Sequence, residues 1–235
     1  MTNVYFLDVS LGGYSEAEKW NILNKIFPRL TPERRKKVNA IRFLEDKLCS
    51  AGAGVLLDLG LKKYGLTAAE EEIAYKETAG KGSAYKGSKK PYLKHHPEIC
   101  FNLSHSGSMV MAAFSAHEVG CDIEKIGKEN LKLAKRFFHP EEWKVLEGTD
   151  DKRELFYRYW TLKESLMKVT GEGMGLPLNG FCIRLEKEPI TVEMNGVLKP
   201  YVLHEYALPG YRAALCVEET AGDVFSAFQN LQDVV

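Results

Sequence analysis

Apolar and polar positions alternate and recur in ways that predict most of the elements. Val4-Tyr5-Phe6-Leu7 is rich in β-formers and predicts a strand. Thr31-Pro32-Glu33 opens a long helical stretch, with Thr31 as N-cap and Pro32 at the first helical position. Ile41, Leu44, Leu48, Ala51, Val55 and Leu59 then recur at three- and four-residue steps, the stripe of a helix with one buried face. Met109 to Ser115 is a strand run. Ser115-Ala116-His117-Glu118 reads as a turn, and Val119 to Ile123 resumes in strand-like composition, as a hairpin or a strand exchange. Leu131 to Phe138 is helical, and Pro140-Glu141-Glu142 starts another helix whose acidic first turn suits its dipole. A strong helix covers Glu154 to Val169 and is stopped by Gly171 and Gly173. Phe181 to Leu185, Ile190 to Met194, Tyr201 to Tyr206 and Ala213 to Val217 read as strands. Each half carries strands plus one or two helices, without a sequence repeat or a low-complexity linker. The expectation is an α/β (α+β) chain of two similar modules.

Composition narrows the class. The 235 residues are 45% apolar and 27% charged, ordinary for a soluble globular protein with a real core. Lys plus Arg equals Asp plus Glu at 32 each, so bulk attraction to nucleic acid or an anionic membrane is not indicated. Five widely spaced cysteines without a CxxC argue against a disulfide framework or a zinc knuckle. No secretory signal and no membrane-length apolar run is visible, so the chain reads as cytoplasmic. A monomer is expected.

Candidate chemistry begins with two acidic motifs. Asp122 and Glu124 lie two apart in a strand-like run, so both face one side, about 6.6 Å apart along the strand. Val119, Cys121 and Ile123 take the other face. Gly120, on the acidic face, leaves room for a ligand there, and two carboxylates suit a hard cation such as Mg²⁺. By spacing alone, a solvent-exposed acidic strand end is the plainer reading. On the later strong helix, Leu162, Ser165, Leu166 and Val169 form a core face. Trp160, Glu164 and Lys168, each four apart, form a second line with Lys163 beside it. An ordinary surface Glu–Lys pair is the plainer reading of that line.

Basic and small polar groups supply the other half of the chemistry. Asn102-Leu103-Ser104-His105-Ser106-Gly107 precedes a strand and could cradle a phosphate. Residues 80–94 read as a mobile basic loop carrying Lys81, Lys86, Lys89, Lys90 and Lys94. Arg34, Arg35, Lys36 and Lys37 crowd a helix start, the wrong sign for its dipole, so an anion is one reason for them. A solvated basic face is the other. No GxSxG surrounds Ser104 or Ser106, which disfavours a serine hydrolase.

Taken in order, these residues resemble the 4′-phosphopantetheinyl transferases of the larger, single-chain type that activate synthetase carrier proteins. The likeness is carried by Gly120-Cys121-Asp122-Ile123-Glu124-Lys125 and by the Trp160–Lys168 element, with its Lys163-Glu164 step. Asn102–Gly107, Lys90-Pro91, Arg136-Phe137-Phe138 and Gly173-Met174-Gly175-Leu176 fit as well. It runs from about Pro32 to Val217. The resemblance implies two pseudo-twofold-related subdomains, here 1–117 and 118–235, with the active site between them. It implies Mg²⁺ held by Asp122, Glu124 and Glu164, and coenzyme A as substrate. Lys168 would meet the diphosphate, Ser104 and His105 the phosphates, and Arg34, Lys37, Ser50 and Lys90 the 3′-phosphate and adenine end. The implied partner is an apo acyl, peptidyl or polyketide carrier protein, with Arg136, Phe137 and the 131–146 segment as its docking surface. Glu164 and Lys168 are the expected catalytic residues. One departure stands out: Cys49 occupies a position where the family often has Arg, with Lys47 as a candidate substitute. A coenzyme A-binding module without catalysis, or an Mg²⁺-dependent phosphodiesterase, would share much of this pattern.

Overall fold

The computed structural model describes residues 1–77 and 89–234. The described chain divides into two compact units. The first comprises Met1–Tyr75, Pro91–Ala116 and the segment from Asp223 onward. The second comprises His117–Gly222 with Lys76, Glu77, Lys89 and Lys90.

The first unit holds β1 (Thr2–Asp8), α1 (Glu16–Ile26), α2 (Pro32–Ala40) and α3 (Leu44–Lys62). It also takes part of β2 (Ile73–Glu77) and β3 (Lys89–Leu93), then β4 (Cys100–Ser106) and β5 (Met109–Ser115). The second unit holds β6 (Val119–Lys125), α4 (Leu131–Phe137), α5 (Pro140–Gly148) and α6 (Lys152–Thr170). Its remaining strands are β7 (Cys182–Arg184), β8 (Ile190–Met194), β9 (Val197–Leu208) and β10 (Tyr211–Glu218). The last strand, β11 (Val224–Asn230), returns to the first unit.

The first unit's sheet runs β11-β1-β5-β4, with α3 packed on β1, β4 and β5. Leu7, Leu48, Val55, Leu56 and Phe114 fill the core between them. β1 pairs antiparallel with β5 and parallel with β11, from Thr2↔Val224 to Asp8↔Asn230. The expected division at 117/118 therefore misassigns the last residues. β1 has a second edge whose backbone groups need partners, and β11 supplies them. Its exposed Phe225 and Phe228 break any clean alternation, so the strand has no period to read.

Two other expectations change. The long helical stretch from Pro32 is two helices, because Ile41 and Phe43 are extended (ψ 139° and 141°). Lys47 stabilises the break by donating to the carbonyls of Val38 (2.7 Å) and Asn39 (3.2 Å). α1 escaped the apolar pattern, although Ser15-x-x-Glu18 is a capping box and forms as one. Of the basic loop expected at 80–94, residues 89–93 form β3, paired with β2, while Lys81 and Lys86 lie outside the described residues. The 115–118 turn is a strand exchange: β5 belongs to the four-stranded sheet and β6 to the five-stranded one.

The second unit's sheet runs β6-β10-β9-β8-β7, antiparallel throughout. α6 lies across β6 and β10, with Leu162, Leu166 and Val169 in one cluster with Ala214 and Cys216. Phe138, Phe156 and Trp160 stack at centroid distances of 5.7–6.5 Å, so Trp160 belongs to this aromatic packing. α6 ends at Gly171, whose φ of 72° is left-handed, as its sequence suggested. Among the described residues, no helix is long and apolar enough to cross a membrane.

One contact sets the geometry of this unit. Gly120 lies directly under α6: a Cβ there would overlap the Ser165 carbonyl oxygen and the Val169 amide nitrogen, and would come 3.0 Å from the Lys168 carbonyl carbon. The glycine is thus filled by helix backbone, a correction to the expectation that it leaves room for a ligand. Gly120→Ala is expected to push α6 off β6 and to cost at least about 1–3 kcal/mol. A fall in the urea midpoint with unchanged m-value would show it.

Candidate active site

β6 and α6 place the acidic groups. Strand alternation puts Gly120 and Asp122 on the side that faces α6, with Glu124 next in line. Helix period puts Glu164 and Lys168 one turn apart, with the Lys168 backbone part of the Gly120 contact and Glu164 just before it. Lys168 Nζ reaches Asp122 Oδ1 at 2.7 Å and the Cys121 carbonyl oxygen at 3.0 Å. Asp122 is 3% exposed while the Lys168 side chain is 28% exposed, so water screens the pair from the lysine side only. Burial works against the Lys168 charge. The carboxylates of Asp122 and Glu164, and the hydrogen bond to Asp122, outweigh it and hold its pKa above the ordinary lysine value.

Glu164 shows the opposite balance. Burial raises its carboxyl pKa, and the charges of Asp122 and Glu124 raise it further against the pull of Lys168. Three carboxylates are therefore close enough to repel, with one ammonium among them. Their all-oxygen donor set fits Mg²⁺, a hard cation that keeps water and phosphate as its other ligands. Among the described residues no three His, Cys, Asp or Glu side chains are already gathered around one point, so the carboxylates would turn to close on an ion.

Lys163, expected beside the Trp160–Glu164–Lys168 line, is turned inward by the structure instead. It is fully buried and does not share the Glu164 face. Its ammonium pairs with Glu142 of α5 at 2.8 Å and donates to the carbonyls of Leu178 (2.7 Å) and Phe181 (3.1 Å). Glu142 also accepts from the amides of His139 and Ile183, at 2.9 and 2.7 Å. Burial pushes the Glu142 carboxyl up and the Lys163 ammonium down, each opposed by the other's charge. His139 and Glu142 form a capping box, which accounts for the His139 contact but not for the burial of Glu142 against Lys163.

The residues expected around the phosphates fall into three groups. Arg34 and Lys37 line a pocket of the first unit with Thr31, Glu33, Leu57, Ile73, Tyr75, Pro91, Phe101 and Leu103. Burial lowers the pKa of Arg34, and burial plus repulsion from Arg34 lowers that of Lys37. Among the described residues neither forms an ion pair, although Glu33 lines the same pocket. Ser50, on α3, is 2% exposed and its hydroxyl has no hydrogen-bond partner among the described residues.

Ser104 and His105 form a second group, with a correction. The Asn102–Ser106 run is itself strand β4, paired with β5 and closed by the Gly107-Ser108 turn, rather than a loop. Strand alternation turns Ser104 and His105 to opposite faces, the serine buried and the histidine exposed.

Lys90 belongs to the second unit. Its ammonium lies 2.6 Å from Glu118 and donates to the carbonyls of Val119 (3.1 Å) and Val169 (3.0 Å). It is only 8% exposed and engaged at the C-terminal end of α6. Lys47, engaged by the end of α2, does not replace the charge missing at Cys49. The Cys49 thiol donates to the Gly107 carbonyl (3.0 Å), and burial pushes its pKa up to about 11, so it stays neutral.

Comparison with known proteins gives this arrangement its place. The model of the 4′-phosphopantetheinyl transferase superfamily matches residues 118–216, from the start of β6 through most of β10. Over 192 residues the chain is 31% identical to the 4′-phosphopantetheinyl transferase Sfp of Bacillus subtilis (strain 168), covering 80% of this chain and 81% of that one. Over 204 residues it is 31% identical to the 4′-phosphopantetheinyl transferase psf-1 of Bacillus pumilus, covering 85% and 83%. A holo-[acyl-carrier-protein] synthase of Thermotoga maritima aligns over 43% of this chain and 62% of its own at a TM-score of 0.37 and 18% identity, too partial a likeness to bear on the fold. A transferase fold unit with carboxylates and a lysine at one helix–strand crossing is the class in view. The chain belongs to the 4′-phosphopantetheinyl transferase family, and within it is similar to the larger, Sfp-like type.

The raised pKa of Glu164 gives a test with a definite sign. A carboxyl whose folded pKa exceeds its unfolded one is a charge the fold resists; the penalty is complete above the folded pKa and absent below the unfolded one. Glu164→Gln is therefore expected to raise the melting temperature around pH 8 in chelator, with the gain vanishing around pH 4. A Glu164→Gln melting temperature equal to wild type around pH 8, or a gain that persists unchanged around pH 4, would count against the crowding of these carboxylates.

Proposed function

We propose that the chain transfers the 4′-phosphopantetheine arm of coenzyme A to a serine of an apo carrier protein in the cytoplasm. The observation that carries this is the grouping of Asp122, Glu124, Glu164 and Lys168 at the β6–α6 crossing in a member of this family. The serine oxygen attacks the phosphorus that bears pantetheine, the diphosphate P–O bond breaks, and adenosine 3′,5′-bisphosphate leaves with the bond's electron pair. Asp122, Glu124 and Glu164 would hold Mg²⁺, which when bound neutralises charge on the phosphate oxygens. Lys168 places a second positive charge on the diphosphate and the leaving oxygen. Glu164, directly or through a water it orients, takes the serine proton; its raised pKa favours that role, and metal binding would oppose it.

Arg34 and Lys37 would take the 3′-phosphate, with the apolar pocket wall beside them accepting the adenine face. Ser50 is the nearby hydroxyl still lacking a partner. Ser104 and His105 are assigned to the phosphates on the family resemblance. The exposed stretch of α4 carries Arg136 over the ring of Phe137 (5.0 Å), a cationic and apolar surface suited to an acidic carrier helix.

Incubation with coenzyme A, Mg²⁺ and an apo carrier is expected to add the phosphopantetheine mass to the carrier, read by mass spectrometry. Bound but intact coenzyme A with an unmodified carrier would favour a binding module, and cleaved coenzyme A with an unmodified carrier a phosphodiesterase. Glu164→Gln is expected to lower transfer by at least about a hundredfold with its fold intact. Arg34→Ala is expected to raise KM for coenzyme A at least about tenfold while kcat changes little, the pattern of lost ground-state binding.

A further inference from the structure

Lys168 carries two demands that compete. Its ammonium is assigned to the coenzyme A diphosphate under the proposed function, and any coupling through it rests on that reading. In the structure the same ammonium is hydrogen-bonded to Asp122 Oδ1 (2.7 Å) and to the Cys121 carbonyl (3.0 Å). The pair is held by backbone as much as by charge, because Gly120 lets α6 lie against β6 with no side chain between them. Asp122 is 3% exposed and the Lys168 side chain 28%, so water screens this pair less than it would one at the open surface. A divalent cation brought to Asp122, Glu124 and Glu164 would sit within a few ångströms of that ammonium, and like charges repel strongly where screening is poor.

We propose that the Lys168–Asp122 ion pair makes metal binding conditional on coenzyme A. The ammonium neutralises part of the carboxylate cluster and opposes a divalent cation. A diphosphate offers Lys168 a partner of greater negative charge and draws it from Asp122. Its long, rotatable stem with a compact terminal charge suits such an exchange. Linkage makes the effect reciprocal: the factor by which coenzyme A tightens metal binding is the factor by which metal tightens coenzyme A binding. The lysine thereby couples its two ligands as well as contacting one of them.

The test is Mn²⁺ binding to the full chain, followed by electron paramagnetic resonance with and without coenzyme A and in the absence of carrier. Wild type is expected to bind Mn²⁺ at least about tenfold more tightly with coenzyme A than without. Lys168→Gln is expected to bind Mn²⁺ about tenfold more tightly than wild type without coenzyme A, and to gain less than wild type when it is added, because only the direct phosphate ligation of the metal remains. Lys168→Arg keeps the charge and is expected to retain the wild-type weakness for free Mn²⁺. Lys125→Gln removes one exposed charge from the same strand and is expected to match wild type. Unchanged or weaker Mn²⁺ binding by Lys168→Gln, or an equal gain in Lys125→Gln, would overturn the inference while leaving the metal site standing. Failure of wild type to bind Mn²⁺ under either condition would overturn the metal assignment and the inference with it. Should Lys168→Gln fail to fold, as judged by its melting curve, wild-type Mn²⁺ affinity that ignores coenzyme A would overturn the inference by itself.

Discussion

The backbone of α6 rests on β6 at Gly120, and the chemistry of the second unit depends on that approach. A side chain at this point would hold helix and strand apart by the width of at least a methyl group. With hydrogen there, Lys168 spans from the helix to Asp122, and Glu164 comes within electrostatic reach of both strand carboxylates. Such crowding of like charge opposes folding. The apolar packing of Leu162, Leu166 and Val169 against Ala214 and Cys216 offsets it. The unit therefore stores repulsion among its acids that a cation would relieve.

Neighbouring residues on α6 show how helix geometry divides labour. Lys163 and Lys168 are the same chemical group, yet one is fully buried on Glu142 and two carbonyls while the other reaches the carboxylate cluster. The first ties α6 to α5 and to the turn before β7. Removing one partner of such a buried pair leaves an uncompensated charge, which is costly, so the pair resists drift of the helix. Glu164, between them in sequence, keeps its place partly because Lys163 is so completely held.

In the first unit the informative feature is cationic charge that forms no ion pair among the described residues. Burial lowers the basicity of Arg34, and burial with the neighbouring Arg34 charge lowers that of Lys37, in a pocket they share with Glu33, Thr31 and several apolar and aromatic groups. Cys49 adds no charge, and Lys47 serves the end of α2. Lys90, in the second unit, fastens the start of β3 to Glu118 and to the last turn of α6.

Local pattern determined a good deal. Side-chain period predicted the strands at Val4–Leu7 and Met109–Ser115 and the helices at 131–138 and 154–169, and it put Asp122 with Glu124 and Glu164 with Lys168. Those are relations between residues a few positions apart, which a backbone of fixed geometry transmits directly. Tertiary structure decided what depends on distant partners. Gly120 is filled by a helix some forty residues further on, β11 pairs with the first strand, Lys90 is held by Glu118 and two carbonyls, and the Asn102–Ser106 run is a paired strand. None of these has a local signature, because an unpaired strand edge or a buried ammonium chooses its partner by proximity in the fold rather than along the chain.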